Sequence, residues 1–397
     1  MTMLVAGGTA ALALAAIRQV IGDGPAALHA PVFSGDEQRN LTECIRSTFV
    51  STVGPFVGQF ERGLAARTGA RYVVAVASGT AALHAALVAV GVLPGDEVIV
   101  PSLTFAATAA AVVHAGAVPH FADSERETLG LDAHALRSYL QAHTVVQNGR
   151  CMNLRTQRVI RAMVPMHVFG AVADMPALLA VAADFSLLVV EDAAEALGST
   201  RQGRQAGTWG TAGVLSFNGN KIITTGGGGA ILTDDAAVAA RVRHLTTTAR
   251  IAHAWEVSHD AVGWNYRMPN LNAAVGCAQL AQLDGFLTRK RVLHQRYQAA
   301  FDGVAGVRLL AEPPGTCSNQ WLQALLLDDD RSAVRDVLVA LANADGVQLR
   351  PVWTPLHQLA PYRDCPAMPL PVATWLGARL VNLPSGAGLV AVASGAA

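Results

Sequence analysis

The sequence has little charge and no excess of either sign. Charged residues make up 15% of the 397 residues, the formal net charge is +0 and the sequence pI is about 7.2. No polybasic run occurs along the chain. A nucleic-acid-binding protein needs a positive field, and a protein held on an anionic membrane needs a basic cluster. The sequence therefore predicts neither of these partners.

Cysteines are few, and they lie far apart in the chain. The five are Cys44, Cys151, Cys277, Cys317 and Cys365. They form no CxxC pair, their number is odd, and the sequence shows no cysteine and histidine spacing typical of a metal site. We therefore expect no disulfide framework and no metal, and a reducing cytoplasm is the simplest location.

Nucleotide-binding glycine motifs are also lacking. The sequence contains neither GxGxxG nor GxxxxGK, and the glycine run at residues 226–229 matches neither of them. A dinucleotide fingerprint and a P-loop are therefore not supported. The hydrophobic fraction is 52%, and the chain is longer than a single core usually is. Two domains are expected, with a large core or extensive subunit interfaces.

Apolar runs alternate with helical stretches from about residue 71. Strands are predicted at residues 72–76, 97–100, 118–121, 161–166 and 187–190, and helices at 78–90, 106–115 and 177–183. This alternation is typical of a mostly parallel sheet covered by helices. Further along, helices are predicted at 270–287 and 290–301, and strands at 307–310 and 322–327.

The same pattern predicts three parts of the chain. Residues 1–28 form an N-terminal helical segment that packs on the body or on a partner chain. Residues 29–285 form a large domain built on the parallel sheet. Residues 286–397 form a smaller α+β domain, because the strand pattern restarts after the long helices.

One lysine has an unusual setting. Lys221 follows an apolar strand at 214–216 and a polar turn, and residues 222–225 predict another strand before the glycine run. Burial lowers the pKa of a lysine side chain in general and frees its amine to attack an aldehyde. That chemistry suits pyridoxal phosphate. A lysine beside a strand is also commonly a surface residue whose charged end reaches water.

Residues 75–83 supply a candidate phosphate site. They are predicted to form a strand, a tight turn and the helix at 78–90, where Gly79 lets a phosphate approach the backbone and Thr80 can add a hydroxyl. Free N–H groups and the positive end of the helix dipole favour a phosphate there. An ordinary capped helix is the alternative.

Two further side chains follow predicted strands at the carboxyl edge of the sheet. Asp192 can pair with a pyridine nitrogen and keep it protonated, and we prefer it to Glu191 because its side chain is shorter. Phe105 can stack on the pyridine ring. The alternatives are a helix cap for Asp192 and a core position for Phe105.

Five segments carry a family resemblance: SGTAAL, PSLTF, EDAAEALGS, SFNGNKIITTGGGG and GWNYRMPNLNAA. In this order and spacing, the chain from His29 to about Gly386 resembles the DegT-type nucleotide-sugar aminotransferases, and most closely their LegC-like branch. The resemblance implies an α/β protein with the type I (aspartate-aminotransferase-like) pyridoxal-phosphate fold. It also implies a transaminase that uses pyridoxal 5′-phosphate, with pyridoxamine phosphate as an intermediate form.

The resemblance implies roles for three residues around the reacting atoms. Lys221 matches the lysine that bonds to the cofactor and later moves protons, and Asp192 matches the aspartate on the ring nitrogen. Glu195 lies where many members carry Gln or His near the phenolic oxygen. A carboxylate can accept a hydrogen bond there only if one of the two groups carries a proton.

Other matched positions concern the phosphate and the ring face. Gly79, Thr80 and Ser216 match phosphate contacts, and Phe105 matches the aromatic residue on the ring. Asn265 matches an asparagine that reaches the phosphate held by the neighbouring subunit. The resemblance therefore implies a homodimer with shared active sites.

The implied reaction moves an amino group from glutamate to the 4-keto carbon of a nucleotide sugar, expected to be a UDP-linked 4-keto-6-deoxy N-acetyl sugar. Substrate contacts are expected at His29, Phe33, His167, Arg350 and His357, although His167 and His357 also suit structural roles. The alternatives are a 3-keto or dTDP-sugar aminotransferase of the same fold, and a non-catalytic binding protein.

Overall fold

A computed structural model describes residues 2–328 and 332–390 of the chain. Its helices are α1 Thr2–Ile21, α2 Glu37–Ser47, α3 Pro55–Thr68, α4 Gly79–Val90, α5 Ala106–His114, α6 Ala133–His143, α7 Met175–Asp184, α8 Ala236–Thr246, α9 Asn270–Ala281, α10 Leu283–Phe301, α11 Ser332–Ala344 and α12 Pro371–Gly377. Its strands are β1 Tyr72–Val76, β2 Glu97–Pro101, β3 Val118–Ala122, β4 Thr144–Gln147, β5 Arg150–Asn153, β6 Val159–Met163, β7 Leu188–Asp192, β8 Thr200–Arg201, β9 Arg204–Gln205, β10 Ala212–Ser216, β11 Gly229–Thr233, β12 Val307–Leu309, β13 Thr316–Cys317, β14 Gln323–Leu327, β15 Arg350–Pro351 and β16 Leu380–Leu383.

The large sheet is mostly parallel, as the alternation of apolar runs predicts. Its order is β1-β11-β10-β7-β6-β2-β3, and β5 joins β6 at the side with β4 beyond it. The pairs β10–β7, β7–β6, β6–β2 and β2–β3 are parallel, whereas β11 is antiparallel to both of its neighbours. The carboxyl ends of β2, β7 and β10 therefore meet at one edge, where ligands bind in open α/β sheets.

Hydrophobic clusters cover both faces of this sheet. Along β1, Val73 and Ala75 pack into one cluster, whereas Val74 and Val76 pack into the other. Successive side chains of a strand point to opposite faces, so a strand buried on both sides is apolar throughout. This explains why the strands of the chain read as continuous apolar runs.

A smaller sheet of order β12-β14-β16-β15 forms the second part of the fold. Its cluster includes Leu325 and Val381 from the sheet together with Ala13 and Ile17 from α1. The Arg18 guanidinium also pairs with Asp345 at 2.8 Å. The N-terminal helix therefore packs beside the C-terminal sheet. The predicted boundary between residues 285 and 286 falls inside α10, and the division into three parts stays a prediction whose ends at 1 and 397 lie outside the described residues.

The structure corrects the prediction of a strand after Lys221. Residues 222–225 form no strand, and β11 begins only at Gly229. The Thr224 side chain hydrogen-bonds to nearby backbone groups that would otherwise pair with a neighbouring strand. Its hydroxyl donates to the Phe217 carbonyl at 3.2 Å and accepts from the Gly226 amide at 2.9 Å. Gly226 has a positive φ of 79°, which a continuous strand does not allow.

Two boundaries also differ from the prediction. The strand predicted at 161–166 is β6, at 159–163, and the break between the last two long helices lies at Gln282 rather than near residue 288. The Gln282 side chain donates to Glu37 at 2.7 Å and accepts from Ser34 at 2.7 Å. Within the described ranges, helices remain too short or too polar to cross a lipid bilayer.

Candidate active site

Lys221 lies in the turn that follows β10, at the carboxyl edge of the large sheet. Its amide donates to the Asn218 carbonyl at 3.0 Å, and its side chain is only 11% exposed. The Nζ atom lies 3.4 Å from Oε1 of Glu195 and 4.0 Å from the centroid of the Trp321 ring. The amine therefore has a carboxylate on one side and an aromatic face on the other, and it is largely removed from water.

Asp192 ends β7 and is almost completely buried. The Thr108 hydroxyl donates to its Oδ2 at 2.7 Å, and the Ala194 amide donates to its Oδ1 at 3.2 Å. Thr104 and Thr108 share a hydrogen bond of 2.8 Å, in which Thr104 donates because the Thr108 proton is used on Asp192. Burial raises the pKa of the Asp192 carboxyl, while these hydrogen bonds and the nearby Lys221 charge oppose that rise.

The neighbouring carboxylate of Glu191 has a different task. Its two oxygens accept from the amides of Gly207, Trp209 and Gly210 at 2.9, 2.5 and 2.7 Å. The His167 ring completes the set with a contact of 3.0 Å. Four partners use the accepting capacity of this carboxylate, so Glu191 ties the segment around residues 207–210 to the end of β7. Of the two acidic residues, Asp192 is the one left available to a ligand.

His167 is held by protein contacts on both of its ring nitrogens. It is fully buried, its Nε2 contacts Glu191, and its Nδ1 accepts from the Ala173 amide at 3.2 Å. Both ring nitrogens therefore have protein partners. The expected substrate contact has no free polar atom to use here, because the histidine serves as a link between β7 and the segment before α7.

Glu195 is buried beside the lysine. Its Oε2 accepts from the Phe169 amide at 2.9 Å, and its Oε1 faces Lys221. Burial raises the pKa of this carboxyl to about 7, against the opposing charge of Lys221. The side chain therefore holds its proton up to near-neutral pH, which removes part of the repulsion expected between a carboxylate and a phenolate.

The start of α4 forms a cradle of small residues. The Ser78 hydroxyl caps the helix by accepting from the Ala81 amide at 3.1 Å. A Cβ atom at Gly79 would lie 2.9 Å from Cβ of Ser216, and one at Gly229 would lie 2.5 Å from the Ser78 carbonyl oxygen. Glycine is required at both positions, and it brings the helix N-terminus against the end of β10. An anion fits such a terminus.

The remaining predicted residues lie around this centre. Phe105 is 53% exposed, and its ring lies 6.4 Å from the Trp353 ring. Phe33 is also exposed. Arg350 is exposed on β15, and Nδ1 of His357 lies 2.6 Å from the Ser102 hydroxyl at the end of β2. These four side chains lie around the centre itself. The structure brings six of the predicted residues to one edge of the sheet: Lys221, Asp192, Glu195, Gly79, Thr80 and Ser216.

His29 and Asn265 have distinct surroundings. His29 shares the wall of a small cavity with Lys221, and its Nε2 lies 3.0 Å from Nζ of Lys290. Its Nδ1 is buried and has no hydrogen-bond partner in the described part of the chain. Asn265 is exposed and is bridged to Thr247, on a segment that pairs with the end of β1 through Arg267.

The residues present fit pyridoxal phosphate. An amine suits its aldehyde, a helix N-terminus suits its phosphate, and a buried carboxylate suits a protonated pyridine nitrogen. No cluster of three potential metal ligands occurs among residues 2–328 and 332–390. Sequence reasoning missed Thr108, which orients Asp192, and Trp321, which lies against Lys221. Thr108 follows the PSLTF segment by three residues, whereas no motif marks Trp321.

Comparisons with known proteins agree with this geometry. Residues 32–392 match the DegT/DnrJ/EryC1/StrS aminotransferase family. The chain is 36% identical over 365 residues to a GDP-perosamine synthase of Caulobacter vibrioides, and this match covers 91% of this chain and 93% of the relative. It is 39% identical over 330 residues to the putative pyridoxal phosphate-dependent aminotransferase EpsN of Bacillus subtilis, and this match covers 83% of this chain and 82% of the relative.

Solved structures show the same likeness. DesI, solved in the presence of its TDP-sugar product, is 31% identical with a TM-score of 0.81, and the match covers 94% of this chain and 92% of DesI. A DegT DnrJ EryC1 StrS aminotransferase from Brucella abortus is 28% identical with a TM-score of 0.80, covering 88% and 90%. The expected α/β aminotransferase fold is therefore confirmed.

The raised pKa of Glu195 predicts a pH dependence of stability. Because the pKa is about 7 in the folded protein and near 4.5 otherwise, the folded state binds this proton more tightly. The contribution of this proton to the free energy of unfolding is fully present below about pH 4.5 and is lost as the pH rises through 7. In the cofactor-free protein, we expect wild type to lose up to about 3 kcal/mol relative to Glu195→Gln over that interval.

Denaturant unfolding at a series of pH values measures this difference. The exposed Glu256 provides the matched control, because Glu256→Gln removes a carboxyl without changing a buried one. Its pH dependence should follow wild type. Parallel curves for wild type and Glu195→Gln would contradict the buried, proton-holding state of Glu195.

Proposed function

The chain belongs to the DegT/DnrJ/EryC1/StrS aminotransferase family, and we propose that it transfers an amino group from glutamate to the 4-keto carbon of a nucleotide-linked 4-keto-6-deoxy sugar. As a member, it is a pyridoxal-phosphate-dependent sugar aminotransferase. The observation that carries the proposal is the pairing of a sheltered amine at Lys221 with a buried, orientated carboxylate at Asp192, on the same edge of the sheet.

Lys221 is the proposed catalytic base and acid. Bound pyridoxal phosphate supplies an electron sink, which stabilises the negative charge left when a C–H bond beside the amino group breaks. The Nζ atom of Lys221 takes that proton from glutamate and later returns one to the sugar carbon that accepts the amine. Its sheltered position limits exchange of the proton with bulk water.

Asp192 and Glu195 set protonation around Lys221. The Thr108 hydroxyl fixes the orientation of the Asp192 carboxylate, which would accept the N–H of a bound pyridinium ring. Glu195 faces the amine at 3.4 Å and can hold a proton near neutral pH. We propose that its carboxyl donates this proton to the phenolic oxygen, for which a charged carboxylate would be unsuitable.

The N-terminus of α4 is the proposed phosphate site. Gly79 and Thr80 offer first-turn amides, and the hydroxyls of Thr80 and Ser216 add donors. Phe105 is proposed to cover the ring face. These contacts orient the reacting carbon toward Lys221 and contribute to binding without changing the proton transfer itself.

The nucleotide is proposed from the relatives. Three relatives at 36%, 34% and 32% identity are GDP-perosamine synthases of Caulobacter vibrioides, Escherichia coli O157:H7 and Vibrio cholerae, so we propose a GDP-linked sugar as the first candidate. The LegC-like branch and its UDP-linked N-acetyl sugar are the second candidate. The product in the DesI structure is a TDP-sugar, so a dTDP-linked sugar is the third.

Substrate contacts are proposed for His29, Phe33, Arg350 and His357. Nδ1 of His29 is buried, has no hydrogen-bond partner among the described residues and lies in the cavity wall shared with Lys221, which suits a sugar oxygen. Arg350 suits a diphosphate because the guanidinium matches phosphate geometry. His167 is proposed only as a support for Glu191, since both of its nitrogens have partners.

A substrate panel tests this function. We expect glutamate and a GDP-linked 4-keto-6-deoxy sugar to give 2-oxoglutarate and an amino sugar, detected by mass spectrometry. The UDP-linked N-acetyl and dTDP-linked 4-keto sugars, and a dTDP-linked 3-keto sugar, are run in parallel. Lys221→Ala should lower turnover by at least about 10³-fold, and Asp192→Asn by about 10²-fold, since both act on proton transfer.

The outcomes of the panel separate the alternatives. Preference for the UDP, dTDP or 3-keto substrate would replace the GDP proposal while leaving the aminotransferase intact. Full activity of Lys221→Ala would end the proposed mechanism. Lys221→Arg is the matched control, because it retains a charge but supplies no amine nucleophile, and it should be as inactive as Lys221→Ala.

We also propose a homodimer in which Asn265 of one subunit completes the phosphate site of the other. Lys221→Ala and Asn265→Ala should each be strongly impaired alone. Unfolding and refolding them together in equal amounts gives hybrids that hold one intact site, so about a quarter of the wild-type activity should return. Absence of recovery, in hybrids shown to have formed, would mean that Asn265 and Lys221 of one and the same subunit serve a single site, and it would contradict the shared site.

A further inference from the structure

The chain has two lysines, Lys221 and Lys290, and 27 arginines. Lys290 lies on α10 and is completely buried. Its Nζ donates to the carbonyl oxygens of Trp321 at 2.9 Å and Ser385 at 2.5 Å, and it contacts Nε2 of His29 at 3.0 Å. Burial lowers the pKa of Lys290 well below its usual value. A buried amine among neutral groups is costly, and the reaction above does not use it.

Trp321 connects the two lysines. Its carbonyl oxygen accepts the hydrogen bond from Lys290, while its ring lies under Nζ of Lys221 with 4.0 Å to the centroid. Its indole N–H donates to the carbonyl oxygen of Asn220 at 2.7 Å, directly before Lys221. One nearly buried tryptophan therefore contacts both the backbone and the side-chain amine of the lysine turn.

The segment that carries Trp321 is fixed to the turn after β7. The Asn319 side chain donates to the carbonyl oxygens of Glu195 and Leu197 at 2.9 and 3.0 Å, and it accepts from the Trp321 amide at 2.9 Å. Gln320 between them has a positive φ of 53°, an uncommon conformation for this residue type. These bonds hold the chain in the bend that turns the indole toward Lys221.

We propose that Trp321 is a positioning residue for Lys221 and that Lys290 acts through it, by fixing the Trp321 backbone from the opposite side. The indole face supports the amine, and the indole N–H fixes the turn from which the lysine extends. Because a lysine side chain loses considerable rotamer freedom when it is held in one place, this support keeps the amine in its reactive position. The inference rests on the proposed role of Lys221.

Two substitutions separate the contributions of the indole. Trp321→Leu removes both the aromatic face and the N–H donor, whereas Trp321→Phe keeps a face and loses the donor. Trp375 on α12 provides the control, because its ring lies against the guanidinium groups of Arg126 at 4.2 Å and Arg379 at 5.1 Å. Trp375→Phe should therefore behave like wild type. Circular dichroism first establishes the folded fraction of each variant.

The first readout is the rate at which cofactor-free protein binds pyridoxal phosphate, followed by visible absorption. The second is kcat and KM for the nucleotide sugar, measured separately. We expect Trp321→Leu to slow cofactor incorporation and kcat by about 10- to 100-fold while KM stays within about threefold, because geometry is lost and substrate binding is kept. Trp321→Phe should lie between Trp321→Leu and wild type, and it carries the test if leucine prevents folding.

Lys290→Met tests the second half of the proposal. Lys290→Met should slow both rates less than Trp321→Leu does. The double variant should be no slower than Trp321→Leu alone, because Lys290 acts on Lys221 only through the indole that leucine lacks. Rates that multiply in the double variant would overturn the action of Lys290 through Trp321. Wild-type rates for Trp321→Leu, or losses that only follow its unfolded fraction, would overturn the positioning role. Failure of wild type itself to bind the cofactor would count against the function of Lys221 instead.

Discussion

The proposed active site depends on how the amine of Lys221 is held between a carboxyl group and an aromatic ring. The Glu195 carboxyl at 3.4 Å and the Trp321 ring at 4.0 Å come from the turn after β7 and from the segment before β14. The lysine itself comes from the turn after β10. The large sheet supplies two of these elements, and the part of the chain around the smaller sheet supplies the third. The amine can therefore reach its position only when both sheets are in place.

Two adjacent carboxylates at the end of β7 have different roles, one structural and one chemical. Glu191 is saturated by three amides and His167, and it fixes the loop before β10. Asp192 has fewer partners, is orientated by Thr108, and stays available to a cationic N–H. Successive residues of a strand point to opposite sides, so structural and chemical roles can lie next to each other in sequence.

The strands and site residues that could be predicted are those marked by residues next to them in the sequence. Apolar runs predicted β1, β2, β3, β6 and β7, and the end of β7 predicted where Asp192 lies, because parallel strands end at one edge. The place of Ser216 came from the family resemblance. The strand predicted after Lys221 was wrong, since Thr224 bonds to nearby backbone groups in place of a neighbouring strand. Trp321 and Lys290 were not predicted. The contacts of Trp321 with the lysine turn span 101 positions, and those of Lys290 span 31 to 261 positions. Neither motif nor periodicity marks these residues.

The proposed chemistry requires the cofactor to bond to the amine at position 221, and the chain's low lysine content makes this directly testable. Reducing the protein with borohydride in the presence of pyridoxal phosphate makes that bond permanent, and peptide mass spectrometry then locates the label. With two lysines in the whole chain, two peptides labelled on a lysine are possible. We expect the label on the peptide that contains Lys221. A label on Lys290, or an unlabelled protein, would contradict it.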